Sequence, residues 1–390
     1  MATLVKKVSP EVLRWARETA HMDVFDVPKS VIASEKLIKI EAGEEFPTLS
    51  QLQKLAKKYD RSLITLLGSS IPESDYTKLP FFRKNNKTDY DSALALFIRD
   101  IQRKQDWARN YLLSEGYEVL EFIKSVKLVN DSEKTAKKIK ERLSLPNFSN
   151  YKRNDDYFKS IKETLESNNI FVSITGSNKS NKSISLEESQ GFAIADEFAP
   201  FIFVNTKNTT NAKIFTIIHE VVHLFLGESG ISEDTIKFRK PQCKEDRVEN
   251  FCNIVASEIL MPKDVFMEKY KALEALELRN LITHLSKYFL VSELAICVRL
   301  WKLKLINYDT YDSIYSAIQK EIDKYLEDKR KKMKDSDGGG NYYTNMLSKN
   351  GNLLSQLAFF AYKENKILGT DLYDVLSVKL DHLNTYFSAV

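Results

Sequence analysis

Residues 214–226 read IFTIIHEVVHLFL. The segment is apolar almost all the way round, which predicts a buried helix rather than a half-exposed one. Three ionisable residues interrupt it: His219, Glu220 and His223. Burying them without partners is costly, so the fold must supply some. Positions i and i+4 share one helical face, about one turn apart, so two imidazoles placed there can converge on one metal ion. Glu220 sits beside the first imidazole, within reach of a water on that ion. His is scarce here, five in 390 residues, so this spacing is an improbable accident.

The pattern His-Glu-x-x-His is that of zinc hydrolases. In that chemistry Zn2+ lowers the pKa of its water from 15.7 toward about 7. Glu220 is then the base that takes the proton and later delivers it to the leaving amine. A catalytic zinc keeps three protein ligands and one open position, so a third ligand is expected. The carboxylates downstream are Glu228, Glu233, Asp234, Glu245, Asp246, Glu249 and Glu258. The run DRVENFCNIVASEILMP, 246–262, reads as a helix ending before Pro262, with Val248, Phe251, Cys252, Val255 and Leu260 as its apolar stripe. Glu249 lies inside that stripe, one turn from Asn253. A carboxylate on a buried face makes a better ligand than one in a loop.

Upstream of the helix the character is β-branched and aromatic. Ile170–Thr175, Gln190–Ala195 and Phe201–Asn205 read as strands of a small antiparallel or mixed sheet. Before that, Tyr90–Lys127, Asn130–Arg142 and Tyr157–Ser167 read as helical. After Lys263 helices return, broken by the charge run KRKKMK (329–334) and the turn DSDGGG (335–340). Near the start, Ser9-Pro10 is a helix cap followed by Pro at the first helical position. Helical pieces follow at Glu11–Ala20, at Lys36–Ala42 and after Pro47, the last with Leu49, Leu52, Leu55 and Ala56 as its stripe. Short helices in this density follow the plan of a helix-turn-helix bundle.

Two resemblances carry these patterns further. FTIIHEVVHLFLG followed by ENFCNIVASEILMP resembles the ImmA/IrrE metallo-endopeptidases, whose pattern is FTxAHExxHxxLG … ExxANxFAAExLMP. The resemblance implies that His219, His223 and Glu249 hold Zn2+, that Glu220 is catalytic and that Asn253 supports a ligand. GFAIADEFAPFIFVN (191–205) resembles the two strands that precede the active helix in that family. Ile218 and Cys252 stand where the family has Ala, and Cys252 reads as a small core residue. SELAICVRL (292–300) resembles a further family segment. Its Arg299 either meets an acidic substrate or the Glu249 region, or pairs locally. In GGGNYY (338–343), Tyr342 or Tyr343 is a candidate oxyanion donor, against a plain turn.

The second resemblance lies at 38–67. IEAGEEFPTLSQLQKLAKKYDRSLITLL is similar to the phage-repressor-type (XRE) helix-turn-helix family. Val27-Pro28 falls where that family keeps a regular second helix. Its groove-reading helix maps onto Pro28–Ile40, with Lys29, Ser30, Ser34, Lys36 and Lys39. Residues 1–70 hold 11 basic and 9 acidic side chains, little for a DNA reader. Leu79-Pro80-Phe81-Phe82-Arg83 resembles the linker of fused family members.

Composition bounds the rest. The length suggests two or three domains, and 12 Gly and 9 Pro favour helices over a turn-dense β chain. A net charge of +4 demands no nucleic-acid partner. Cys243, Cys252 and Cys297 are too few for a disulfide framework, so a reduced, cytoplasmic setting is expected. The start MATLVKKVSP has no apolar leader core, and no membrane span is expected.

The expected fold is mainly α (α+β): a helix-turn-helix bundle at 1–70, a linker and helical connector at 71–150, a zincin-like metallopeptidase core with a small β-sheet at 151–262, and a helical region at 263–390. The expected function is a zinc-dependent endopeptidase that cleaves a regulatory protein, a repressor or an antitoxin. Its head binds double-stranded DNA through residues 1–70, or binds a partner. The alternatives are a helix-turn-helix regulator whose metal domain senses or scaffolds, and the toxin of a toxin–antitoxin pair. Two His and one Glu accept several divalent ions, and the pattern leaves the oligomeric state open.

Overall fold

The computed structural model describes residues 4–72, 92–177, 183–232, 243–334 and 341–388. The linker motif Leu79–Arg83, the ligand candidates Glu233 and Asp234, and Gly338, Gly339 and Gly340 lie outside the described residues. The described chain falls into two units. One comprises 4–72, 92–103, 177 and 183–184; the other comprises 104–176 and 185 onward.

The first unit holds α1 (Pro10–Thr19), α2 (Ser34–Glu41), α3 (Leu49–Tyr59), α4 (Leu63–Leu67) and the first half of α5 (Ser92–Ser114). Ser9 caps α1 as expected, accepting from Val12 N, with Pro10 at the first position. Thr48 and Gln51 form a reciprocal capping box that starts α3. Leu13, Ala16, Leu37, Leu52, Leu55, Tyr59 and Leu66 make the buried core. Arg17 on α1 donates to both carboxylate oxygens of Glu41 on α2 at 2.8 Å, a bidentate pair inside this unit. Between α1 and α2 there is only one 3-10 turn, Val24–Asp26. Pro28 explains the loss, since the residue before a proline is driven out of helical geometry. The reading helix expected from Pro28 therefore begins only at Ser34, and Ser34 itself is buried.

The second unit carries the sheet. β1 (Phe171–Thr175), β2 (Gly191–Ile194), β3 (Phe201–Asn205) and β4 (Gly230–Ser232) lie in the order β1-β3-β2-β4. β1 runs parallel to β3, while β2 is antiparallel to both β3 and β4. The first three strands sit where the sequence places them. β4 has no sequence signal: three residues with one apolar side chain are too short for periodicity. Every residue of the first three strands is buried. Such double-sided burial explains why they read as continuous apolar runs rather than alternating ones.

The helices of this unit are the rest of α5, α6 (Ser132–Leu143), α7 (Asn154–Ser167), α8 (Thr210–Leu226), α9 (Lys244–Leu260), α10 (Lys263–Leu273), α11 (Leu278–Phe289), α12 (Glu293–Lys302), α13 (Tyr308–Lys334), α14 (Tyr342–Asn350), α15 (Asn352–Lys363), α16 (Gly369–Leu376) and α17 (Leu383–Phe387). The charge run 329–334 does not break α13, because Lys, Arg and Met are good helix formers. α8 starts at Thr210, under a cap from Thr209 to Ala212 N, and stops at Gly227 in the left-handed conformation. From Phe215 to Phe225 every α8 side chain is buried, so the helix is a core element. The architecture is thus mainly helical with a small mixed sheet, as the sequence predicts. Among the described residues no single helix is long and apolar enough to cross a membrane.

Candidate metal centre

The site is built where α8 meets α9. Ile217, Ile218, Val221 and Val222 of α8 and Val248, Cys252, Val255 and Ala256 of α9 belong to one apolar core. That core holds the two helices at a fixed distance and sets the polar residues between them. His219 and His223 are fully buried, and their Nε2 atoms stand 3.0 Å apart. Glu249 completes the group: its Oε2 lies 3.3 Å from His219 Nε2, and its Oε1 lies 3.1 Å from His223 Nε2. Three donor atoms from two helices therefore converge on one point. The ligand nitrogens of a tetrahedral zinc, at about 2.0–2.1 Å from the ion, stand roughly 3.3 Å from one another. The donor set and its spacing fit a divalent ion.

The electrostatics match. Burial lowers the pKa of His223, although Glu249 and its hydrogen bond push the other way. Burial raises the Glu249 carboxyl, but the charge and hydrogen bonds of His219 and His223 more than reverse this and leave it at about 2. A neutral imidazole beside an ionised carboxylate is the protonation state that a metal requires.

The other carboxylates are occupied elsewhere. Glu228 is 2.9 Å from Lys244 Nζ. Asp246 accepts from Cys243 N at the start of α9. Glu258 pairs with Arg299 and accepts from Lys263 N. Cys252 does come near: its Sγ and a nitrogen of each imidazole lie within 4.8 Å of one another. Burial, with Glu249, Glu220 and Glu228 nearby, pushes its thiol well above the usual range, which keeps it protonated and a poor ligand. Glu249 is closer to both imidazoles and is already ionised.

Glu220 is fully buried beside the imidazoles, and β2 passes close to it. A Cβ built on Gly191 would lie 2.9 Å from Glu220 Oε1 and 2.6 Å from Thr216 Cγ2. Gly191 is thus a functional position that the sequence reading does not single out. Its only signal is a glycine opening an apolar strand, which marks close backbone approach.

The structure also places three further residues singled out in the sequence. Asn253 Oδ1 and His219 Nδ1 each lack a hydrogen-bond partner. Arg299 does not reach Glu249; it pairs with Glu258 and donates to the Met261 carbonyl at 2.8 Å, closing the end of α9. The Tyr343 hydroxyl meets His382 Nδ1 at 2.9 Å, and Tyr342 is exposed.

Residues 166–301 match the family model Peptidase_M78, described as the IrrE N-terminal-like domain. The matched span runs from the end of α7 through the sheet, α8 and α9 to α12, and so contains the whole site. This part of the chain is similar to a peptidase-family domain. No curated protein matches the chain.

Proposed function

We propose that this protein is a zinc-dependent endopeptidase in which His219, His223 and Glu249 hold the ion and Glu220 is the catalytic base. The observation that carries the reading is the convergence of the Glu249 carboxylate on both imidazole Nε2 atoms. A zinc ion bound there supplies Lewis acidity toward a scissile carbonyl and toward water. Glu220 takes the proton from the attacking water and hands it to the departing amine. Its burial between α8 and Gly191 holds the carboxylate in one place and keeps bulk water away. Placing the base and two of the three donors on one rigid helix lowers the entropy cost of assembling them.

The proposed substrate is a regulatory protein, a repressor or an antitoxin, cleaved in a reducing cytoplasm. Cys243, Cys252 and Cys297 are free thiols, in keeping with that compartment. Residues 1–70 serve as a helix-turn-helix head that recruits DNA or the substrate protein. The shortened segment before α2 and the exposed Phe25, Ile38 and Ile64 favour a protein partner over duplex DNA.

The test is Glu220→Gln in the full chain, incubated with zinc and with the repressor or antitoxin encoded beside it. Fragments are read by mass spectrometry and metal by elemental analysis. The variant keeps its zinc and loses cleavage by roughly a hundredfold or more. Undiminished cleavage removes Glu220 as the base.

A further inference from the structure

Cys252 stands three residues after Glu249 on α9, so both side chains leave the same face of that helix. Its Sγ and one nitrogen of each imidazole lie within 4.8 Å of one another. The two imidazoles therefore face two different third donors, a carboxylate and a thiol. His219, His223 and Cys252 are fully buried, whereas the Glu249 side chain is 17% exposed. Glu249 is the member of the group that solvent reaches, and the one that can swing outward while the core stays closed.

The two donors differ in kind. Zinc accepts a carboxylate oxygen, a hard donor, while a soft thiolate beside imidazole selects monovalent copper. At metal–nitrogen and metal–sulfur lengths of about 2.0 and 2.3 Å, the donor atoms of a trigonal ion stand roughly 3.5–3.7 Å apart. The imidazole nitrogens are 3.0 Å apart and the sulfur is within 4.8 Å of both, so side-chain movements of about an ångström complete a trigonal set. Charge selects the same ion. Cu+ with one thiolate and two neutral imidazoles carries no net charge, the state that a buried site holds at least cost. A carboxylate and a thiolate together would put two negative charges into one buried seam, so the centre offers one or the other.

We infer that the metal centre has a second binding mode, in which His219, His223 and Cys252 take monovalent copper and Glu249 is released to solvent. Cu+ replaces Zn2+, the thiol gives its proton to solvent as the copper–sulfur bond forms, and no electron is transferred. A trigonal ion held this way keeps no position for water, so Glu220 has no water to deprotonate and the copper-loaded protein is inactive. The inference rests on the reading of His219 and His223 as metal ligands.

The test is competition of the metal-free full chain against chromophoric chelators, once for Cu+ under exclusion of oxygen and once for Zn2+. A Cys243→Ser background removes the exposed thiol. The parent takes one Cu+ per chain. Cys252→Ser weakens Cu+ by about a hundredfold or more and leaves Zn2+ within about twofold, and Glu249→Gln does the reverse. X-ray absorption of the copper-loaded parent, which needs no substitution at the site, shows one sulfur and two imidazole nitrogens around the ion. Zn2+ binding with a copper shell of nitrogen and oxygen alone, or with Cu+ affinity undiminished in Cys252→Ser, overturns this inference and leaves the zinc reading standing. Failure of both ions to bind the parent overturns the two together.

Discussion

Glu249 Oε1 lies 3.1 Å from His223 Nε2, across the seam between α9 and α8. Its other oxygen reaches His219, so one carboxylate serves two imidazoles. Packing of apolar side chains on the flanks of both helices holds these three groups together. Without an ion between them, the arrangement confines one negative charge in a place with little solvent.

Glu249→Gln separates the two candidate third ligands. The amide keeps the shape but loses the charge. Zinc affinity falls by more than about a hundredfold, since outer-shell partners alone account for 10–100-fold. Cys252→Ala leaves zinc affinity within about twofold, because the thiol is protonated and lies farther from the donor pair. Competition with a chromophoric chelator measures both. A large loss in Cys252→Ala reverses the assignment.

The metal-free protein loses stability as the pH falls. The buried His223 has a lowered pKa, so below its ordinary 6.5 the unfolded chain binds a proton that the folded chain resists. Glu249 adds to this from its ordinary 4.5 down toward about 2, where the folded carboxylate finally protonates. Both contributions are fully present above 6.5 and are lost in acid. Urea midpoints of the apo protein at successive pH values follow the loss; a flat profile from about pH 7 to 5 contradicts it.

Gly191→Ala wedges β2 away from α8. The new methyl meets Thr216 Cγ2, Glu220 Oε1 and the backbone oxygen of Phe203, all under 3.0 Å. Backbone cannot yield cheaply on that side, so stability falls by about 1–3 kcal/mol. Activity falls further than stability does, because the displaced group includes the carboxylate of Glu220. Denaturant unfolding and a proteolysis assay, run on the same sample, distinguish the two effects.

Glu258→Gln breaks the buried pair with Arg299, whose guanidinium also holds the Met261 carbonyl. A buried guanidinium left without its carboxylate costs about 3–5 kcal/mol. Zinc affinity at neutral pH changes little, since the pair closes α9 beyond the ligand turn. Loss of zinc without loss of stability argues against this structural role.

Much of this site is legible in residue order, for local reasons. A run of apolar residues makes α8 a core helix, and helical spacing puts His219 and His223 on one face whatever surrounds them. Glu249 emerges from its place in an apolar stripe and from the resemblance of its segment. The close approach of Gly191, the pairing of β4 and the partner of Arg299 are not legible. Each depends on segments far apart in the chain, and neither periodicity nor spacing reports a long-range distance.

The sequence by itself determined the first three strands, the two helices of the site and the three ionisable groups that enter the core on α8, because propensity, capping and periodicity act over a few residues. Only the tertiary structure decided how closely the Glu249 carboxylate approaches both imidazoles, since the packing of α8 against α9 sets that distance. It also decided that Arg299 pairs with Glu258 and the Met261 carbonyl rather than with Glu249. That outcome rests on where Glu258 and the end of α9 lie in space.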